Sequence, residues 1–165
     1  MGSGKSSVGR ALAARLGWSF VDLDAEIESS QGRKIREIFR REGEAKFRQI
    51  EAKLLQAILE TTTRPFVLAT GGGTFVQSQN AELLRTSGAL VIFLEASAKT
   101  LLRRCFYQSD GPEEAVRPLA QNSEAFLHLY EERLPFYRSA DLSVDSDNRS
   151  PDAVAREIAL MIASR

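Results

Sequence analysis

An α/β sandwich with a mostly parallel sheet is the fold class this sequence predicts, and three observations predict it. Short apolar runs, such as Phe66 to Ala69 (FVLA) and Ala89 to Leu94 (ALVIFL), alternate with stretches of helical periodicity, which is the pattern of strand–helix–strand units. The glycine-rich start Gly2-Ser3-Gly4-Lys5-Ser6-Ser7 runs straight into an amphipathic helical pattern. Polar clusters fall where the apolar runs end, and in such sheets ligands sit at the carboxyl ends of the strands.

Taken in order, Val8, Leu12 and Leu16 recur on one helical face, and Gly17 closes that first helix. Trp18 to Leu23 reads as a strand ending in Asp22-Leu23-Asp24. Ile35 to Arg41 is a short helix, and Gly43 precedes a long one with Phe47, Ile50, Leu54 and Ile58 turned inward. Pro65 stops that helix before the FVLA strand, which leads into Thr70-Gly71-Gly72-Gly73. Glu82 to Arg85 lies in a helix, and ALVIFL reads as a strand buried on both faces. Thr100 to Cys105 is helical, and Phe106 to Pro118 is a polar loop. Ser123 to Tyr137 is a helix broken near Pro135, and Leu142 to Val144 is a last short strand. Pro151 opens the final helix, whose apolar stripe is Val154, Ile158 and Ile162.

Composition excludes several function classes. The 165 residues suit a single domain spanning the chain, with a sizeable core. Lys+Arg and Asp+Glu are 22 each, so the net charge of zero argues against a protein that coats nucleic acid or an acidic membrane. Cys105 is the only cysteine, which leaves no internal disulfide and no cysteine-built zinc site. The longest apolar run is far too short to span a bilayer, and the start carries no secretory signature. The expected setting is the cytoplasm.

Five clusters carry chemistry. In Gly2-Ser3-Gly4-Lys5-Ser6-Ser7, glycines let successive N–H groups turn inward around a phosphate, and the following helix offers its positive end to the same anion. Lys5 then neutralises phosphates and the Ser6 hydroxyl ligates Mg²⁺. A glycine-rich tail with an ordinary capping serine is the plainer alternative. Asp22 and Asp24, two apart on a strand, share one face; such a pair divides into a metal-water holder and a group that orients a substrate hydroxyl. A solvated strand end, with Asp24 capping the next helix, is the alternative. Arg48 and Glu51 lie three apart on one helical face. They read either as a surface ion pair or as a fixed arginine that grips a carboxylate with its planar fork. Gly71, Gly72 and Gly73 permit close approach of backbone to a ligand. Arg117 on the polar loop and Arg133 among acidic neighbours are candidate anion contacts or ordinary surface arginines, and His128 is a helix-surface or packing residue.

The ordered set GSGKSSVGRALA, VDLDAEIE, IREIFRREGEAKFRQIE, TGGG, RPL, ERLPFYRSAD and VDSDNRSP resembles the shikimate kinase family across essentially the whole chain. That resemblance implies a P-loop three-layer sandwich similar to nucleoside monophosphate kinases, with a parallel sheet of order 2-3-1-4-5. It implies transfer of the ATP γ-phosphate to the shikimate 3-hydroxyl, a step toward chorismate and aromatic amino acids, by a monomer using Mg²⁺ and ATP. By position it assigns ATP to Gly2, Ser3, Gly4, Lys5, Ser6, Ser7, Arg104, Arg117, Arg149 and Pro151, and the metal to Ser6 and Asp22. Shikimate falls to Asp24, Phe39, Phe47, Arg48, Glu51, Gly71, Gly72, Gly73 and Arg133. Lys5, Asp24 and Arg117 are the catalytic set, with Arg117 delivered by a lid around 106–118.

Two departures stand out. The lid stretch carries Asp110, Glu113 and Glu114 and is longer than the family pattern. The full signature G-x-x-x-x-G-K-[ST] would place its first glycine two residues before Met1, so the first and central strand of the family order is expected to be absent, with a gap or distorted pairing in its place; the expectation is that either translation begins upstream or this polypeptide has little activity. Rival readings are a gluconate kinase-like enzyme and a kinase-like protein without catalysis.

Overall fold

Two left-handed glycines bracket the first helix. The computed structural model describes residues 2–107 and 123–165. Helix α1 (Lys5–Leu16) begins after Gly4, φ 85°, and ends at Gly17, φ 67°, whose N–H bonds to the Ala13 carbonyl; both conformations favour glycine. Strand β1 (Ser19–Asp22) follows. Asp22 then caps α2 (Leu23–Gln31), its side chain accepting from the N–H groups of Asp24 and Ala25. Asp24 therefore does not end a strand. It lies in the first helical turn, because the capping carboxylate of Asp22 starts the helix two residues earlier than periodicity suggests.

Helix α3 (Ile35–Thr61) unites the two helices expected around Gly43 but is broken there, at φ 79° and ψ 174°. Strand β2 (Phe66–Ala69), helix α4 (Ser78–Thr86) and strand β3 (Ile92–Glu95) come next. The strand begins later than expected, since the Val91 N–H donates to the Asp141 carboxylate instead of to a strand. Helices α5 (Ala98–Tyr107) and α6 (Ser123–Tyr137), strand β4 (Leu142–Asp145) and helix α7 (Pro151–Ala163) complete the order. Ser150 caps α7 by accepting from the Ala153 N–H, with Pro151 at its start.

β1 pairs in parallel with β2, Ser19 opposite Phe66 through Asp22 opposite Ala69. β3 pairs in parallel with β4, Ile92 opposite Leu142 through Glu95 opposite Asp145. Each register brings two strand ends level, so Asp22 and the glycine turn after Ala69 open on one edge. One core joins α1 and α7 through Val8, Leu12, Leu94, Val144, Val154 and Ile158. A second packs Leu23, Ile27, Ile38, Phe47, Leu55, Phe75 and Leu84.

Among the described residues the two strand pairs do not join. Between β2 and β3 runs an apolar groove of about 610 Å³, walled by Val8, Leu12, Val67, Leu94, Ile158 and Ile162. The sequence expects an interruption at this position. The groove also corrects the reading of ALVIFL as doubly buried: in β3 only Leu94 is buried, because the groove leaves that side of the strand uncovered among the described residues.

Candidate active site

The phosphate loop is shaped by alternation of backbone. Gly2 (φ 68°) and Gly4 (φ 85°) are left-handed on either side of the buried Ser3, an arrangement that turns N–H groups toward one concavity. A Cβ on Gly2 would lie 2.8 Å from Cys105 Sγ and 3.0 Å from the Leu101 carbonyl oxygen, so no side chain fits. Lys5 opens α1 and lines a small cavity with Ser3, Thr70 and Gly71.

Ser6 Oγ donates to Asp22 Oδ2 at 2.6 Å. The other Asp22 oxygen accepts from the N–H groups of Asp24 at 3.2 Å and Ala25 at 3.4 Å. One carboxylate thus starts α2 and holds the hydroxyl expected at the metal. A hydroxyl and a carboxylate oxygen suit Mg²⁺, a hard cation that keeps several waters and phosphate oxygens and needs few protein ligands.

A second cluster, the one expected to take the acceptor, gathers on the glycine turn. Around the position a Cβ would take on Gly71 lie Asp24 Oδ1 at 2.9 Å, Thr74 Oγ1 at 3.2 Å and Glu51 Oε1 at 3.5 Å. At Gly73 the same place is held by the Arg48 guanidinium, with Cζ 2.9 Å away. A side chain on either residue would push these polar groups out of their present positions. Arg48 Nη1 donates to Glu51 Oε2 at 2.8 Å, and its Nε and Nη2 donate to Glu44 Oε1 at 3.2 and 3.1 Å. Glu51 is 0% exposed, and its second oxygen accepts from Thr74 Oγ1 at 2.7 Å. The pair is therefore no surface ion pair. Burial works against the Arg48 charge, yet the hydrogen bond and charge of Glu51, then those of Glu44, outweigh it and hold the guanidinium above its ordinary value.

Phe39 and Phe47 meet with ring centroids 4.6 Å apart, and the Arg48 guanidinium stands over Phe47 at 5.1 Å. Arg133 approaches through Tyr137, whose hydroxyl also donates to the Gly72 carbonyl. Its acidic neighbour Glu132 pairs with His128 at 3.4 Å, which agrees with His128 as a surface residue. Thr74, Glu44 and Tyr137 are the contacts that sequence reasoning missed. The signals were slight: a threonine directly after three glycines, a glutamate one turn before Arg48, and a tyrosine one turn after Arg133.

Arg104, Arg149 and Pro151 collect beyond β4. Arg104 Nη2 donates to the Ser146 carbonyl at 2.8 Å, and its Cβ lies beside Gly2. Arg149 donates to the Asp145 carbonyl at 2.9 Å and pairs with Glu157 at 2.6 Å, tying the loop to α7. Arg117 and positions 108–118 of the expected lid lie outside the described residues.

Comparison with known proteins gives a consistent result. Residues 1–163 match the profile of the family described as shikimate kinase. The chain is similar to the shikimate kinase of Persephonella marina, 38% identical over 159 residues, covering 96% of this chain and 92% of the relative. It is similar to that of Synechococcus sp. strain CC9605, 44% identical over 167 residues, covering 99% and 79%. Its fold matches the structure of shikimate kinase from Acinetobacter baumannii in complex with shikimate, with a TM-score of 0.89 at 34% identity over 99% of this chain and 89% of that one.

Thr74→Val is expected to destabilise the protein by about 1–3 kcal/mol, since it strands one oxygen of a fully buried carboxylate, whereas Thr74→Ser keeps the hydroxyl and most of the stability. Thermal unfolding of the two variants side by side checks this. Equal midpoints would mean that Glu51 does not depend on the hydroxyl.

Proposed function

The chain belongs to the shikimate kinase family, and from that premise we propose that it transfers the γ-phosphate of ATP to the 3-hydroxyl of shikimate, giving shikimate 3-phosphate and ADP. The observation that carries the reading is the acceptor site. A buried carboxylate holds Arg48 against Gly73 while Asp24 lies against Gly71. This site shares the strand-end edge with the phosphate loop and Asp22. A fixed cation beside a hydroxyl-binding carboxylate fits a small polyhydroxylated acid.

In this reading Arg48 and Arg133 grip the acceptor carboxylate, with the Arg48 fork pre-set by Glu51 and Glu44. Phe39 and Phe47 wall the ring. Asp24 orients the reacting hydroxyl and takes its proton as the oxygen bonds to the γ-phosphorus. The bond from that phosphorus to the β–γ bridging oxygen breaks, and ADP leaves with the electron pair. Gly2 to Ser7 cradle the phosphates, Lys5 offsets their charge, and Arg104, Arg149 and Pro151 border the adenine. Ser6 and Asp22 would hold Mg²⁺, which when bound neutralises charge on the β- and γ-phosphates. The working unit in this proposal is a cytoplasmic monomer of one domain, with residues 106–118 as a lid carrying Arg117. Among the described residues no helix is long and apolar enough to cross a membrane.

A coupled ADP-release assay is expected to give turnover with shikimate and none above background with gluconate; the reverse would assign the rival acceptor. Asp24→Asn is expected to lower turnover by roughly 10²–10⁴-fold with little change in the KM for ATP. Weakened ATP binding at normal turnover would move Asp24 to the nucleotide side.

A further inference from the structure

Tyr137 stands apart from every role given so far, yet it touches the glycine turn of the acceptor site and lies in the field of both clamp arginines. It is the last residue of α6, two beyond Pro135. Its ring stacks on Phe93 of β3, centroids 5.3 Å apart and planes 27° from parallel. Its hydroxyl donates to the carbonyl of Gly72, the middle glycine of the turn. Arg133, one helical turn earlier, engages the same hydroxyl, and the charge of Arg48 reaches it. Burial raises the phenol's pKa above its ordinary value and the arginines offset only part of that rise, so near neutral pH the group is an O–H donor.

Two mechanical consequences follow. In a trans peptide the carbonyl and the next N–H point in opposite directions. Holding the Gly72 carbonyl therefore fixes the direction of the Gly73 N–H, beside the Arg48 guanidinium. The Thr74 N–H closes the turn around that plane on the Gly71 carbonyl at 3.2 Å, and the glycines add no side-chain restriction of their own. The positive charge of Arg133, one helical turn earlier, acts on the same hydroxyl, which draws that long cation toward the turn.

We propose that Tyr137 is a positioning residue for the acceptor's carboxylate: one phenol locks the Gly72–Gly73 peptide and Arg133 into a single arrangement, so that a planar anion meets donors already set around it. The inference rests on the shikimate kinase reading. It belongs to the binding of acceptor and not to the transfer step, and that separation makes it testable.

Tyr137→Phe removes only the hydroxyl and keeps the ring on Phe93. Steady-state kinetics should show the KM for shikimate raised about tenfold, as expected for the loss of one well-placed partner to a charged group. The KM for ATP and the turnover at saturation should stay within about twofold. Calorimetric titration with shikimate should show the same loss, with a melting midpoint close to that of the parent. Against the carboxamide analogue of shikimate the parent and Tyr137→Phe should bind alike. A variant with unchanged shikimate KM overturns the inference, as does one whose losses fall equally on ATP and shikimate or persist with the carboxamide. A parent protein that neither binds nor phosphorylates shikimate overturns the underlying reading, and this inference with it, by a result that no comparison with the variant can mimic.

Discussion

The Glu51 carboxylate is the constraint on which the acceptor site depends. It is fully shielded from water, and a buried charge survives only if it is paired and hydrogen-bonded. One oxygen takes Arg48 and the other takes Thr74. Removing one partner from such a pair costs about 3–5 kcal/mol, a large share of the 5–15 kcal/mol that typically holds a domain together. The arginine is thus held in place by the stability of the core. A side chain at position 73 would displace it, and one at 71 would displace Asp24, Thr74 or Glu51. A run of glycines that looks like flexibility in the sequence is close packing in the structure.

The phosphate side is built on the same economy of groups. Asp22 does two jobs with two oxygens, starting α2 with one and holding Ser6 with the other. Because β1 and β2 are level at Asp22 and Ala69, the carboxylate that begins a helix and the turn that lines the acceptor site open together. Parallel pairing, decided by apolar side chains well below, therefore fixes the spacing between nucleotide and acceptor.

Much of this was legible in the sequence. Glycine, proline and apolar periodicity located six of the seven helices of the described residues, whereas α2 entered only as the alternative in which Asp24 caps a helix. GSGKSS ahead of Val8 and Leu12 announced a phosphate loop, and FRQIE with TGGG placed a cation near a glycine turn. The errors have physical causes. Asp24 was read as a strand end because capping by Asp22, a tertiary-independent side-chain bond, competes with β periodicity over two residues. Ala89 to Leu94 looked doubly buried because an apolar run records what a strand prefers, whereas burial records what covers it. Thr74 and Tyr137 escaped because their roles lie in contacts 23 and 65 residues away along the chain, and no local pattern encodes those.

The break in α3 has a further meaning. Phe39 and Phe47 are eight residues apart, and in an unbroken helix the rise of 1.5 Å per residue would separate their backbones by about 12 Å along the axis. Their rings instead meet at 4.6 Å, with Gly43 in an extended, positive-φ conformation between them. The aromatic wall is thus a product of a helix defect and not of helical spacing. The meeting of the two rings rests on a single backbone dihedral, at a residue where even an added Cβ would meet only open space. A homologue could change the size of acid it admits by altering that one joint, while every side chain in contact with the acid stayed the same.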